Sequence, residues 1–175
     1  MTSKILGIDP SLTATGFCLL KNNRLFLQQV YRPKNTGTDR LFEIEKKIEE
    51  VIASTAPDIV VIEGYAYART KQAHQMGELG WAARRTMENL KNMYHYEWFE
   101  VSPNSLKKFA TGKGNSKKDT IMLYIYKRWK VEIVDNNIAD AYILAKIGQA
   151  YLGKEKEKLT NFQKEVLEGL LKKAG

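Results

Sequence analysis

The stretch KILGIDPSLTATGFCLLKNNRLFLQQV, residues 4–30, holds three apolar runs separated by turn residues and carries one acid, Asp9, at the end of the first run. Residues 4–9, 15–20 and 24–30 predict three strands, with Asn22-Asn23 as a tight hairpin turn between the last two. A carboxylate that closes an apolar strand suits two chemistries. It holds a metal, or the hydroxyl-rich turn after it cradles a nucleotide phosphate. The stretch alone does not choose between them.

Outward from it, Leu41, Ile44, Ile48, Val51 and Ile52 recur at helical spacing and predict an amphipathic helix over 39–54. DIVVIE (58–63) is almost wholly apolar, as a strand buried on both faces is, and it too ends in an acid, Glu63. A long helix is expected over 71–91, where Gly77 and Gly80 permit close approach of a neighbour, and YEWFEV (96–101) alternates as a fifth strand. Ser102-Pro103 reads as an N-cap followed by Pro at the first helical position, opening a helix through about Phe109. Ser116, with Asp119 three residues on, gives a capping-box-like start to a helix through about Trp129. VEIV (131–134) reads as a short strand or turn, and a helix follows from about Asn136 to Leu152. Beyond Gly153, Leu159, Phe162, Val166 and Leu170 share one face of a last amphipathic helix. The order is that of an α/β domain over 1–152 with a C-terminal helical appendage over 153–175.

Composition narrows the function classes. At 175 residues the chain has the size of about one domain. No apolar run approaches the ~20 residues of a membrane span and no signal-peptide core is visible, so a cytoplasmic protein with no membrane partner is expected. The single cysteine, Cys18, excludes an internal disulfide framework and a cysteine-rich zinc site; inside an apolar run it reads as an inert buried thiol. His74 and His95 are too isolated to be ligands. The net charge of +8 attracts polyanions, although a solubilising surface produces the same count. Where the charge sits decides.

If the first and fourth strands are adjacent and parallel, as an intervening helix favours, Asp9 and Glu63 emerge at one sheet edge, where ligand sites of open α/β sheets lie. A third acid, Asp140, lies one helical turn after Asn137 and on the same face, among the small residues Ala139, Ala141 and Ala145 that let a helix lie close to a sheet. A carboxylate packed there is costly unless paired or metal-bound. Mg²⁺ takes oxygen ligands, and two such ions ~4 Å apart can activate a water and stabilise a leaving oxygen in phosphodiester cleavage.

The segment SLKKFATGKGNSKKDT gathers Lys107, Lys108, Lys113, Lys117 and Lys118 around Gly112 and Gly114, a reasonable phosphate-binding surface. Directly after Glu63, Tyr65 and Tyr67 alternate with small residues and are followed by Arg69 and Lys71, which suits base stacking and backbone contact at distorted nucleic acid.

GIDPSLTATGF, VVIEGYAYA, LKKFATGKGNSKK and IADAYILA, in this order over roughly residues 4–150, resemble the RuvC-type Holliday junction resolvases, particularly their bacteriophage branch. The resemblance implies an RNase H-like fold with a five-stranded mixed sheet flanked by helices, here with an extra C-terminal helix. It further implies a homodimer and paired nicking of four-way DNA junctions with two Mg²⁺ ions, Mn²⁺ substituting, and no nucleotide cofactor. A phage-encoded protein would work in the cytoplasm of its bacterial host.

By position, Asp9, Glu63 and Asp140 match the acidic metal ligands of that family. Lys107 and Lys118 match lysines that contact the scissile backbone, with Lys117 able to stand in for Lys118, and Tyr65 or Tyr67 falls near an aromatic at the junction centre. The family commonly carries a fourth acid three residues before the last, where this chain has Asn137. The amide oxygen of Asn137 or the carboxylate of Asp135 would complete the site, the latter only if the backbone before Asn136 is not yet helical.

The reading is a structure-selective DNA endonuclease for Holliday junctions and other branched DNA. Its rivals are a junction-binding module without cleavage, an RNase H for RNA–DNA hybrids, and an ATP-binding domain of the actin and sugar-kinase type.

Overall fold

A computed structural model describes residues 3–64 and 73–174 of the chain, the side chains of residues 173 and 174 excepted. The opening stretch forms β1 (Lys4–Asp9), β2 (Thr15–Lys21) and β3 (Arg24–Tyr31), paired antiparallel in turn, with Asp9 opposite Gly16. Asn22 and Asn23 both adopt positive φ, 51° and 68°, as the two central residues of a type I′ hairpin turn do. After the helix α1 (Gly37–Thr55), β4 (Ile59–Glu63) returns parallel to β1 with Ile62 beside Ile8. The helix α2 (Ala73–Tyr94) leads to β5 (Glu97–Val101), parallel to β4. The sheet order is β3-β2-β1-β4-β5, a mixed five-stranded sheet.

The remaining helices are α3 (Pro103–Thr111), α4 (Lys118–Trp129), α5 (Asn136–Tyr151) and α6 (Asn161–Ala174). The strand period of two sorts the core into two layers. Leu6, Ile8, Val60 and Ile62 pack with Ile44, Ile48 and Met87 of α1 and α2. Ile5, Ile59 and Val61 pack on the other face with Ala141, Ala145 and Ile147 of α5, backed by α3, α4 and α6. The same period carries Asp9 and Glu63 onto the α5 side, each two residues beyond a position of that face.

Helix α5 seats at backbone contact. A Cβ on Gly7 would run into the carbonyl oxygen of Ala141, and one on Gly16 into the carbonyl oxygen of Asn137. Two bare strand positions therefore fix the height at which Asn137 and Asp140 cross the ends of β1 and β2.

Ser102 caps α3 as expected, its Oγ accepting from the Ser105 amide at 3.2 Å behind Pro103. The start of α4 differs from expectation. Its N-cap is Lys117, not Ser116, and no side chain closes it. The Ser116 hydroxyl lies 2.6 Å from Thr111 Oγ1 and donates to the Lys113 carbonyl at 3.0 Å. Partners inside the glycine loop hold that hydroxyl, and the helix starts one residue later. Residues 130–135 form neither strand nor turn, with only Ile133 buried. Helix α6 docks on α3: the Gln163 amide is buried and donates to the Phe109 carbonyl at 3.1 Å, and Val166 joins the core. Among the described residues no helix is long and apolar enough to cross a membrane.

Candidate metal centre

Asp9 closes β1 and is only 7% exposed, while Glu63 closes β4 one register step beyond the Ile8–Ile62 pair. Both strands are held in parallel register on apolar residues, so the two carboxyl groups are delivered side by side, close enough to hydrogen-bond to each other. Burial raises the Asp9 pKa well above the carboxylate range, and Glu63 and Asp140 raise it further; Lys118 acts in the opposite sense. Burial also raises Glu63, against the opposing pull of Asp9, Lys107 and Lys118. Two like charges side by side oppose each other's ionisation, which adds to the effect of burial on the pair. Asp140 is pushed up to about 6, first by burial and then by Glu63, with Lys118 and Lys107 opposing.

Among the described residues no three His, Cys, Asp or Glu side chains already stand as a ligand cage. The arrangement is a hydrogen-bonded pair, Asp9 and Glu63, with Asp140 acting on it from α5. Oxygen-only donors, burial and carboxyl pKa values raised together suit a hard divalent cation, which would supply the opposing charge.

The lysines divide. Lys107 on α3 and Lys118 at the start of α4 both act on Glu63 and Asp140. Lys108, one residue along α3, turns to α6 and pairs with Glu165 at 2.7 Å. Lys113 and Lys117 are exposed, the first in the glycine loop and the second at the α4 N-cap. Tyr65, Tyr67, Arg69 and Lys71 lie outside the described residues.

Asp135 and Asn137 take different parts. Asp135 is the N-cap of α5: its Oδ1 accepts from the backbone amides of Asn137 at 2.8 Å and Ile138 at 3.4 Å, and from Asn137 Nδ2 at 3.0 Å. Its Oδ2 pairs with Arg32 at 3.5 Å. Burial opposes its ionisation, but these donors and Arg32 hold its pKa below the usual value. Asp135 does not figure among the charges acting on Asp9, Glu63 or Asp140. With Nδ2 given to Asp135, the Asn137 side chain keeps its oxygen free of donors among the described residues. Arg32 carried no signal in the sequence, since its partner lies on an element more than a hundred residues away.

A family model described as "Crossover junction endodeoxyribonuclease RuvC" matches residues 5–147. Curated proteins of that name are similar to this chain: one from Chlamydia muridarum is 28% identical over 157 residues, covering 83% of this chain and 90% of that protein. One from Rickettsia conorii is 29% identical over 149 residues, covering 81% and 93%. Among solved structures, T. thermophilus RuvC in complex with Holliday junction substrate superposes with a TM-score of 0.68 at 18% identity, covering 87% of this chain and 95% of that one. The yeast mitochondrial Holliday junction resolvase Ydc2 gives 0.55 at 12% identity, covering 95% and 82%. These two establish the shared α/β fold, and the match along most of the sequence goes further: the chain belongs to the RuvC family of crossover junction endodeoxyribonucleases.

Proposed function

We propose that this chain cuts four-way DNA junctions at the centre formed by Asp9, Glu63 and Asp140, with Mg²⁺ as the metal, and that Asn137 rather than Asp135 completes the ligand set. The observation that carries this reading is the Asp9–Glu63 pair, buried side by side at the ends of two parallel strands with raised pKa values, and Asp140 acting on it from α5. Divalent ions held by these oxygens would polarise the attacking water and stabilise the leaving 3′ oxygen.

The chain's own groups supply the rest. Asp9 and Glu63 would bind a cation in their ionised forms, which burial disfavours, so protons and metal compete. Lys107 and Lys118 face the same carboxylates and offset charge on the scissile phosphate. Lys113 and Lys117, exposed beside them, steer the backbone in; Lys108 is committed to Glu165 and serves α6 first. Asp135 sets the α5 terminus, and its cap orients Asn137 so that the amide oxygen is the one left to the site. A four-way junction is two-fold symmetric, which supports action as a homodimer that brings two such centres together, in the cytoplasm where recombining DNA lies.

The test uses a labelled four-way junction, a duplex and an RNA–DNA hybrid with the wild type and Asp9→Asn, in Mg²⁺ or EDTA. Paired nicks on the junction that vanish in EDTA and in the variant are expected. Tight junction binding without cleavage in Mg²⁺ or Mn²⁺ overturns the reading, as does a preference for the hybrid.

A further inference from the structure

The β2–β3 hairpin tip lies at the far end of the sheet from the carboxylates. Lys21 faces Lys4 in the register that sets Gly16 opposite Asp9, so the two ends stand roughly 17 Å apart at about 3.3 Å per residue. Here a cleft of about 450 Å³ is lined by Lys21, Asn22, Arg24, Leu25, Phe26 and Lys156, a size that ligand sites commonly have. Three of the six are cations and none is an acid. Among the described residues no carboxylate stands within ion-pair distance of Lys21, Arg24 or Lys156. Phe26 is 65% exposed on the edge strand, with Lys21 Nζ 5.1 Å from its ring centre. Leu25 beside it packs on the core instead. A bare phenyl among unpaired cations contributes little to folding, and it is what a base and its flanking phosphates stack and pair upon.

The cleft is also braced. The Asn22 amide donates to the Ser3 carbonyl at 3.0 Å, and the Ser3 amide donates to Asn22 Oδ1 at 3.1 Å. Lys156 comes from the segment after α5, beyond the residues the family model matches. Its amide donates to Glu155 Oε1 at 3.1 Å, and that same oxygen is gripped by the buried Lys146 at 2.9 Å.

We propose that this cleft is a second nucleic-acid site, which holds a short single strand of DNA with one base on Phe26 and its phosphates on Lys21, Arg24 and Lys156. The inference rests on the reading of the chain as a DNA enzyme, yet the cleft needs nothing from the metal centre. The nucleotides held there stand roughly 17 Å from Asp9 and are not the ones cut. They are unpaired flanking DNA, so the site favours branched substrates that carry a single-stranded tail.

The test is fluorescence anisotropy of a labelled oligothymidylate in EDTA. Phe26→Ala weakens binding about 10-fold and leaves its salt dependence alone. Lys21→Gln/Arg24→Gln lowers the slope of log K against log salt by about 1.4. Thermal melting shows that both variants are folded. Wild-type affinity and slope in both variants overturn the proposal. Displacement of the oligonucleotide by thymidine monophosphate at equal nucleotide concentration assigns the cleft to free nucleotides and overturns the strand. Junction nicking by the Asp9→Asn variant is read separately: if it persists, the assignment of cutting to the Asp9 centre fails while the cleft stands on its own result.

Discussion

Helix α5 carries a buried ionic cluster at each end, and the two are built on opposite principles. Near its start Asp140 adds a third acid to the Asp9–Glu63 pair, and the balancing cations, Lys107 and Lys118, come from other helices. Near its end Lys146 is 3% exposed and closes its own account: Nζ reaches Glu155 Oε1 at 2.9 Å and Gln149 Oε1 at 2.7 Å, with the Trp129 ring 5.2 Å away. Burial and the hydrogen bond to Glu157 raise the Glu155 pKa, and Lys146 opposes both, so the ammonium is what holds the buried carboxylate in place. The second cluster is a finished clasp that ties the segment after α5 to the body. The first has more acids than the chain balances within it, in keeping with the proposed role of an external cation.

The sharpest way to break this contrast is to finish the first cluster chemically. Asp9→Asn removes a charge and a ligand together. Junction nicking should fall by about 10³-fold or more, since a bound metal supplies several kcal/mol to the reaction. The melting temperature in EDTA at pH 7 should rise at the same time. A variant that loses both activity and metal-free stability would mean that Asp9 is structural.

The converse change opens the clasp. Lys146→Met leaves Glu155 buried without its cation and should cost about 3–5 kcal/mol in unfolding free energy. Lys146→Met/Glu155→Leu should recover most of that loss. Denaturant titration of both proteins measures it, and equal destabilisation by the single and double changes would show that the pair is not coupled.

A smaller effect follows from pH. Asp140 titrates at about 6 in the folded chain, above its ordinary value, so the folded state binds more protons than the unfolded one. This contribution is complete below the unfolded pKa and is lost as pH rises through about 6. In EDTA the melting temperature should therefore drop by a few degrees between pH 5 and 7, Mg²⁺ should reverse the drop, and Asp140→Asn should flatten it. The smallest change expected is that of Asn137→Asp, which adds the acid common in the family. Mg²⁺ should bind several-fold more tightly by calorimetry, and the metal-free protein should melt slightly lower. Unchanged affinity would remove Asn137 from the ligand set.

The contrast also marks what sequence can reveal. Both acids at strand ends, the Asn22-Asn23 turn, the Ser102 cap and the close-packed Asp140 helix were legible, because periodicity and capping act over a few residues. Ser116 was misread because two partners in its own loop outcompete the helix terminus. VEIV forms no strand because none of the strands among the described residues runs beside it to pair with it. The Arg32–Asp135 pair and the Gln163 anchor join positions far apart in the chain, where no local pattern announces a partner. The sequence left Asp135 and Asn137 open as alternatives; Asp135 is engaged as the α5 cap, which supports the proposal that Asn137 is the ligand.

Gly7 and Gly16 give the active centre a mechanical gauge. The separation of Asp140 from Asp9 is set where main chain rests on main chain, not by side chains that could be repacked. Exchanges elsewhere in the two hydrophobic layers can be absorbed by neighbouring rotamers, while a single methyl at Gly7 would lift the helix off the sheet and draw the third acid away from the other two. The tolerance of the machine is thus smallest at two residues that carry no chemistry.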